Sequence, residues 1–283
     1  MTEFDLLKQG EKKYTMEDAN EVLTRLLAPD GCPWDREQTH ISLRQNMIEE
    51  AYEAVDAIDS GDSRRFSDEL GDVLLQVLLH SKISEKDGTF SLLDVTDNLC
   101  RKLISRHTHI FGKDTASSGE ESFAIWEKNK IIEKGLQSAS ETLSDLPKAL
   151  PSLMRADKLQ KRAAKVGFDW DSPDGALEKV QEEIEEVKEV LEEKRISLQK
   201  KDAEALSELE GELGDFLFAA VNYVRLLGVD PEVALHRCNE KFIRRFSQME
   251  KLAIKEKKDF ALLSFEEKDT LWNKVKEVEN ESR

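Results

Sequence analysis

The sequence predicts an all-α protein built from two copies of one helical-bundle domain in tandem, and three observations carry that expectation. The 283 residues include only 13 glycines and 6 prolines, while 36% are charged, a balance that suits long solvated helices better than turn-rich sheets. No stretch sustains the apolar–polar alternation of a strand. The second half also repeats the first. Trp34-Asp35 returns as Trp170-Asp171, EEAYEAVDAI (49–58) as EEIEEVKEVL (182–191), and ELGDVLLQV (69–77) as ELGDFLFAA (212–220), in the same order and at offsets of 133 to 143 residues.

Within the first copy, Ile48, Ala51, Tyr52, Val55 and Ile58 recur at helix spacing, and so do Phe66, Leu70, Val73, Leu74, Val77 and Leu78. Ser60-Gly61-Asp62-Ser63 breaks the pattern between them and offers a cap to the second helix. Lys102 and Arg106 follow as an i,i+4 pair on a third helix, echoed by Lys241 and Arg245, and Trp126 with Lys130 is echoed by Trp272 with Lys276. Residues 112–121 (GKDTASSGEE) read as a loop. Residues 137–151 are rich in serine and carry Pro147 and Pro151, so they read as the joint between a first domain, 1–136, and a second, 152–283.

With 42 basic against 59 acidic residues the formal charge is −17, which argues against a general binder of nucleic acid or of anionic membranes and is compatible with cation binding. Cys32, Cys100 and Cys238 lie far apart with no CxxC spacing, so neither a disulfide framework nor a zinc knuckle is indicated. The first residues, MTEFDLLKQGEKKY, lack the apolar core of a leader. No apolar run approaches the roughly 20 residues that span a bilayer. These features predict a cytoplasmic protein. GxxxxGK[ST] and GxGxxG are absent, so no glycine cradle for a nucleotide is expected. His107 and His109 are spaced i,i+2, and Glu37-x-x-His40 is the sole ExxH, where a ferritin-like di-iron site needs two.

Each half carries two acidic pairs at i,i+3: Glu50/Glu53 with Glu69/Asp72, and Glu183/Glu186 with Glu212/Asp215. That spacing puts two carboxylates on one helix face. The first set is symmetric about Gly61, at the expected turn, so a hairpin there sets Glu50 opposite Asp72 and Glu53 opposite Glu69. The second set is centred on Gln199, in a weakly helical connector. Four converging carboxylates need a compensating charge, which a hard divalent ion with oxygen ligands supplies. In a chain this acidic, a solvated helix face is the plain alternative for Glu50 and Glu53, which lie opposite the Ile48/Val55 stripe. Asp72 and Asp215 weigh against it, because each sits on a helix with apolar residues on nearly all sides and is expected to be buried.

Other candidates carry two readings each. Trp34 and Trp170 suit a pocket lip or a core anchor at a helix entry. Lys102, Arg106, Lys241 and Arg245 suit clamping of phosphate oxygens or ordinary surface ion pairing. Trp126 with Lys130, and Trp272 with Lys276, suit stacking a base and neutralising a phosphate, or core packing.

GCPWDREQTH (31–40), EExxE (49–53), ELGD (69–72), their second set, and the joint DLPKALPSLMRADKLQKRAAKVGFDW (145–170) closely resemble the MazG family over nearly the whole chain. Its members are tandem-domain nucleoside triphosphate pyrophosphohydrolases of the all-α NTP pyrophosphatase superfamily. The resemblance implies Mg²⁺-dependent hydrolysis of NTPs and dNTPs to the monophosphate and pyrophosphate, by a homodimer with active sites in helical bundles. It also implies metal ligation by Glu183, Glu186, Glu212 and Asp215, and nucleotide contacts by Lys241, Arg245 and Trp272. Glu50, Glu53, Glu69, Asp72, Lys102, Arg106 and Trp126 hold the equivalent places in the first half. Where relatives can have an acidic residue before the ExxD glutamate, the second half has Gly211 and the first has Asp68, which weakens transfer of a base role to that position.

The mechanism expected is in-line attack on the α-phosphorus by a water that the ion makes more acidic, with pyrophosphate leaving. Glu53 or Glu186, or the adjacent Glu49 or Glu182, orients or deprotonates that water. A homodimer is expected on physical grounds too, since helices apolar around most of their girth leave a face uncovered in a lone copy. Two rivals are a non-catalytic acidic helical interaction protein and a di-iron oxidoreductase, the latter disfavoured by the missing second ExxH.

Overall fold

The computed structural model describes residues 13–281; most of the opening segment read as lacking the core of a leader, and with it the start of the first domain, lies outside the described residues. No strand occurs among those described, and no helix there is long and apolar enough to cross a membrane. The chain divides into two compact units, residues 1–132 and 133–283.

The first unit opens with α1 (Met16–Leu26), started by a capping box in which the Thr15 side chain and Asp18 satisfy each other's backbone N–H groups. After the single-turn α2 (Pro33–Arg36), α3 (Arg44–Ser60) and α4 (Ser63–Lys86) fold back on one another. The reversal is short because Gly61 takes a left-handed conformation (φ 71°) and Asp62 caps α4 through the N–H groups of Arg64 and Arg65. Then come α5 (Leu92–Arg106), begun by a Ser91/Asp94 capping box, α6 (Thr108–Phe111) and α7 (Gly119–Glu133). The stretch expected as a loop is therefore shorter than predicted, with helix resuming at Gly119. Leu23, Leu43, Leu78 and Leu79 form the core, which joins α1 to the far end of α4.

In the second unit, α8 (Ala139–Ser144) and α9 (Ser152–Ala164) lie against each other, so the segment read as a joint carries a short helix. The repeat of the hairpin is α10 (Pro173–Glu193) and α12 (Ala203–Leu226), joined through a five-residue α11 (Arg195–Gln199) where the first unit has only Gly61 and Asp62. Gln160 on α9 donates to the Phe218 carbonyl of α12 at 2.8 Å, docking α9 on the hairpin. α13 (Pro231–Lys255) and α14 (Phe265–Glu281) close around Met249, Ala253, Leu271 and Val275.

The solvated-face alternative for Glu50 does not hold in this packing. Ile48, Tyr52, Val55 and Ile58 are exposed, whereas Ala54 and Ala57 are buried and Glu50 is half-buried. Helix spacing identifies a face but not what covers it; α3 buries Ala54 and Ala57 and leaves its large apolar residues exposed.

Candidate metal centres in two hairpins

The two hairpins bring the acidic pairs together as carboxylate clusters. In the first unit, carboxylate oxygens of Glu50, Glu69 and Asp72 lie within 4.8 Å of one another. In the second, those of Glu183, Glu186 and Glu212 do. Glu53 and Asp215 stand outside these two triads, on exposed positions one turn from a member. Asp72 is exposed as well, so the expectation that Asp72 and Asp215 are buried is corrected: the apolar neighbours around them, Leu75, Leu217 and Phe218 among them, are themselves exposed in the single chain.

The buried carboxylate is instead Glu183, 4% exposed, on the same face of α10 as Ala176 and Val190. One of its oxygens, Oε1, meets Lys179 Nζ at 2.7 Å; the other, Oε2, is buried with no hydrogen-bond partner. A buried, unsatisfied carboxylate oxygen is an expensive feature unless a cation faces it. Lys179 also reaches Glu182 Oε1 at 2.9 Å, and these two acids hold its ammonium above the ordinary lysine range. The neighbouring Glu183 carboxyl group first, and desolvation after it, push the Glu186 carboxyl up. In the first unit burial pushes Glu50 up, followed by the charges of Asp72, Glu53, Glu69 and Glu49. Asp72 is the strongest of those charges, as expected from the pairing across Gly61.

Counter-charge reaches the first triad differently. Arg65 meets Glu69 at 3.4 Å through Nε and Asp56 on α3 at 2.6 Å through Nη2. Neither Lys179 nor Arg65 was singled out from the sequence, although each stands four residues before a triad glutamate, a readable i,i+4 pair. The donor set is all carboxylate oxygen, which with the orphaned Glu183 oxygen fits a hard divalent cation such as Mg²⁺.

The aromatic and basic candidates gather on other helices, with an arginine beside a tryptophan ring in each unit. The Arg106 guanidinium lies 5.3 Å from the Trp126 ring centre and Lys130 Nζ 5.2 Å from it. The Arg245 guanidinium lies 5.5 Å from the Trp272 ring, which also packs on Phe242 at 5.4 Å. Arg245 is bound in addition by Glu279 at 2.8 Å, and Trp272 is partly buried against the Met249 core, so core packing and cation stacking both hold for it. Lys102 on α5 and Lys276 on α14 are exposed; Lys241 on α13 is half-buried. Trp34 is exposed, and the Trp170 ring lies so close over Gly175 that a Cβ there would come within 2.7 Å of it.

His40 and His80 also meet: their rings stack with Nδ1 atoms 2.7 Å apart, and Ser84 Oγ lies 3.1 Å from His40 Nε2. This pair, separated by forty residues in the chain, ties the GCPWDREQTH segment to α4.

Comparison with known proteins agrees with the duplicated architecture. The model of the MazG nucleotide pyrophosphohydrolase domain matches residues 38–111 and again 172–249. The chain is 40% identical over 260 residues to the nucleoside triphosphate pyrophosphohydrolase/pyrophosphatase MazG of Thermotoga maritima, covering 92% of this chain and 95% of that protein. It is 38% identical over 259 residues to the nucleoside triphosphate pyrophosphohydrolase of Escherichia coli K12, covering 91% and 95%. It is also 44% identical over 261 residues to the uncharacterized protein YabN of Bacillus subtilis, covering 92% of this chain and 51% of that one.

Proposed function

The chain belongs to the MazG family of nucleotide pyrophosphohydrolases, and from that premise we propose that its two carboxylate triads are Mg²⁺ sites at which nucleoside triphosphates are cleaved to monophosphate and pyrophosphate. The protein is a nucleoside triphosphate pyrophosphohydrolase, a hydrolase of phosphoric anhydrides. The observation that supports the metal reading is the buried Glu183 oxygen without a partner, beside two further carboxylates within 4.8 Å.

In this reading Glu50, Glu69 and Asp72, and Glu183, Glu186 and Glu212, hold the ion, with Glu53 and Asp215 completing each set from the exposed side. When bound, Mg²⁺ supplies charge to the triphosphate oxygens and acidity to the attacking water. Glu53 and Glu186 serve as the candidate bases that orient or deprotonate that water. Lys102, Arg106 and Lys130, and Lys241, Arg245 and Lys276, offset the charge that builds on the phosphates, and Trp126 and Trp272 offer a face for the base. The same proposal includes a homodimer in the cytoplasm, NTPs as partners and no stable nucleic-acid binding.

Product analysis tests the reaction. A dNTP incubated with Mg²⁺ is expected to yield dNMP and pyrophosphate in equal amounts; release of orthophosphate would refute the cleavage position. A Glu69→Ala/Glu212→Ala double variant is expected to lose turnover by about two orders of magnitude or more, and full activity in it would refute the site.

A further inference from the structure

The two triads are alike in their acids and unlike in the cation that accompanies them. At the second, Lys179 Nζ is 2.7 Å from the one paired oxygen of buried Glu183. The residue at the equivalent place in the first half, 133 positions earlier, is Asn46, which brings no charge. The cation of the first triad is Arg65, fastened to Asp56 at 2.6 Å and touching Glu69 only at 3.4 Å through one edge. Lysine is a point charge on a flexible stem, whereas a guanidinium engaged on two sides is held in place.

We propose that Lys179 is a resident counter-ion of the second site, which takes up its divalent ion only by exchange for this ammonium, whereas the first site binds without exchange. The inference rests on the metal reading above and adds to it a difference between the halves of one chain. The exchange is a matter of ligand atoms. Glu183 is the deepest of the triad, and Oε1, one of its two oxygens, is already in contact with Nζ. A divalent ion that engages this carboxylate must accept either a second cation beside it or the withdrawal of the lysine. Repulsion between cations at such separations favours withdrawal. Lys179 has a second acid to retire to, Glu182, which lies toward solvent and already contacts it at 2.9 Å. The consequence is a weaker second site in the absence of nucleotide, although its carboxylate cluster is the more buried.

Mn²⁺ titration of the full-length protein without nucleotide, followed by the electron-spin resonance signal of free Mn²⁺, separates the possibilities. The wild type is expected to show a tighter and a weaker class of site; Glu69→Ala removes the tighter and Glu212→Ala the weaker. Lys179→Met is expected to tighten the weaker class by about tenfold or more, the scale on which one nearby charge shifts a carboxylate. It is also expected to lower the melting temperature of the metal-free protein, with Mn²⁺ restoring it. Asn46→Lys, made in the other half and independent of how well Lys179→Met folds, is expected to weaken the tighter class. Mn²⁺ affinities unchanged in both variants would overturn the exchange while leaving the metal sites standing. Absence of Mn²⁺ binding in the wild type would overturn the metal reading and the exchange together.

Discussion

A carboxylate oxygen enclosed in a helical hairpin without a partner disfavours the folded state, and Glu183 keeps one. That atom supports reading the second cluster as a cation site rather than an acidic helix surface, and the i,i+3 spacing of Glu183 and Glu186 does not reveal it, because spacing is the same for solvated and enclosed glutamates. What the sequence does reveal is the pairing across Gly61, since the symmetry of two acidic pairs about a turn survives folding directly. The His40–His80 contact is illegible for the opposite reason: its partners are forty residues apart and belong to no periodic pattern. Burial lowers the affinity of His80 for a proton, and the nearby His40 adds to this. The unfolded chain therefore binds more protons than the folded one between the lowered value and the ordinary 6.5, and stability rises with pH across that window. Thermal melts are expected to show the wild type losing stability as the pH falls below 6.5. His80→Asn is expected to remove part of that slope; an identical slope in the variant would show that the pair carries no linked proton.

At the scale of elements, both hairpins were foreseeable from repeated helix-spaced apolar runs, and the cap at Asp62 from the Ser60-Gly61-Asp62-Ser63 break. The second connector was less so, because α11 replaces a two-residue reversal with a full turn, and the acidic pairs still meet. The same helices keep a feature that helix propensity does not explain. Gly71 and Gly214 sit in the middle of α4 and α12, next to Asp72 and Asp215, and a Cβ at either would meet nothing within 4 Å. Alanine is favoured over glycine in a helix interior by about 1 kcal/mol. A glycine held at both places thus points to something outside the chain, nucleotide or second copy, that approaches the backbone closely there. Gly214→Ala is expected to raise the stability of the protein in denaturant melts by about 0.5–1 kcal/mol while lowering turnover. A variant that gains the stability and keeps wild-type kcat and KM would show the surface to be open.

For the whole molecule, the exposure of the apolar stripe is the instructive result. Periodicity foretold that Ile48, Tyr52, Val55 and Ile58 share one face of α3, as Leu206, Leu213 and Leu217 do on α12 in the structure, but not whether such faces lie inside the chain. They do not: Val55 is 48% exposed and Leu217 55%, while alanines fill the inner side of α3. Asp72 and Asp215 are exposed along with them, so a layer covering either hairpin would enclose its carboxylates as well as its apolar surface. Contiguous apolar faces of this kind on a charged protein are met by a partner, and a symmetric pair of identical chains covers the same patch twice. Leu213→Glu/Leu217→Glu places two charges on the face of α12 without touching a triad residue. Light scattering at micromolar concentration is expected to show the wild type as a dimer and this variant as a monomer. Because closure of the sites would depend on the pairing, the variant is also expected to lose NTP hydrolysis while circular dichroism reports full helix content. A wild-type monomer of full activity would refute the dimer and leave Asp72 and Asp215 to work in open water.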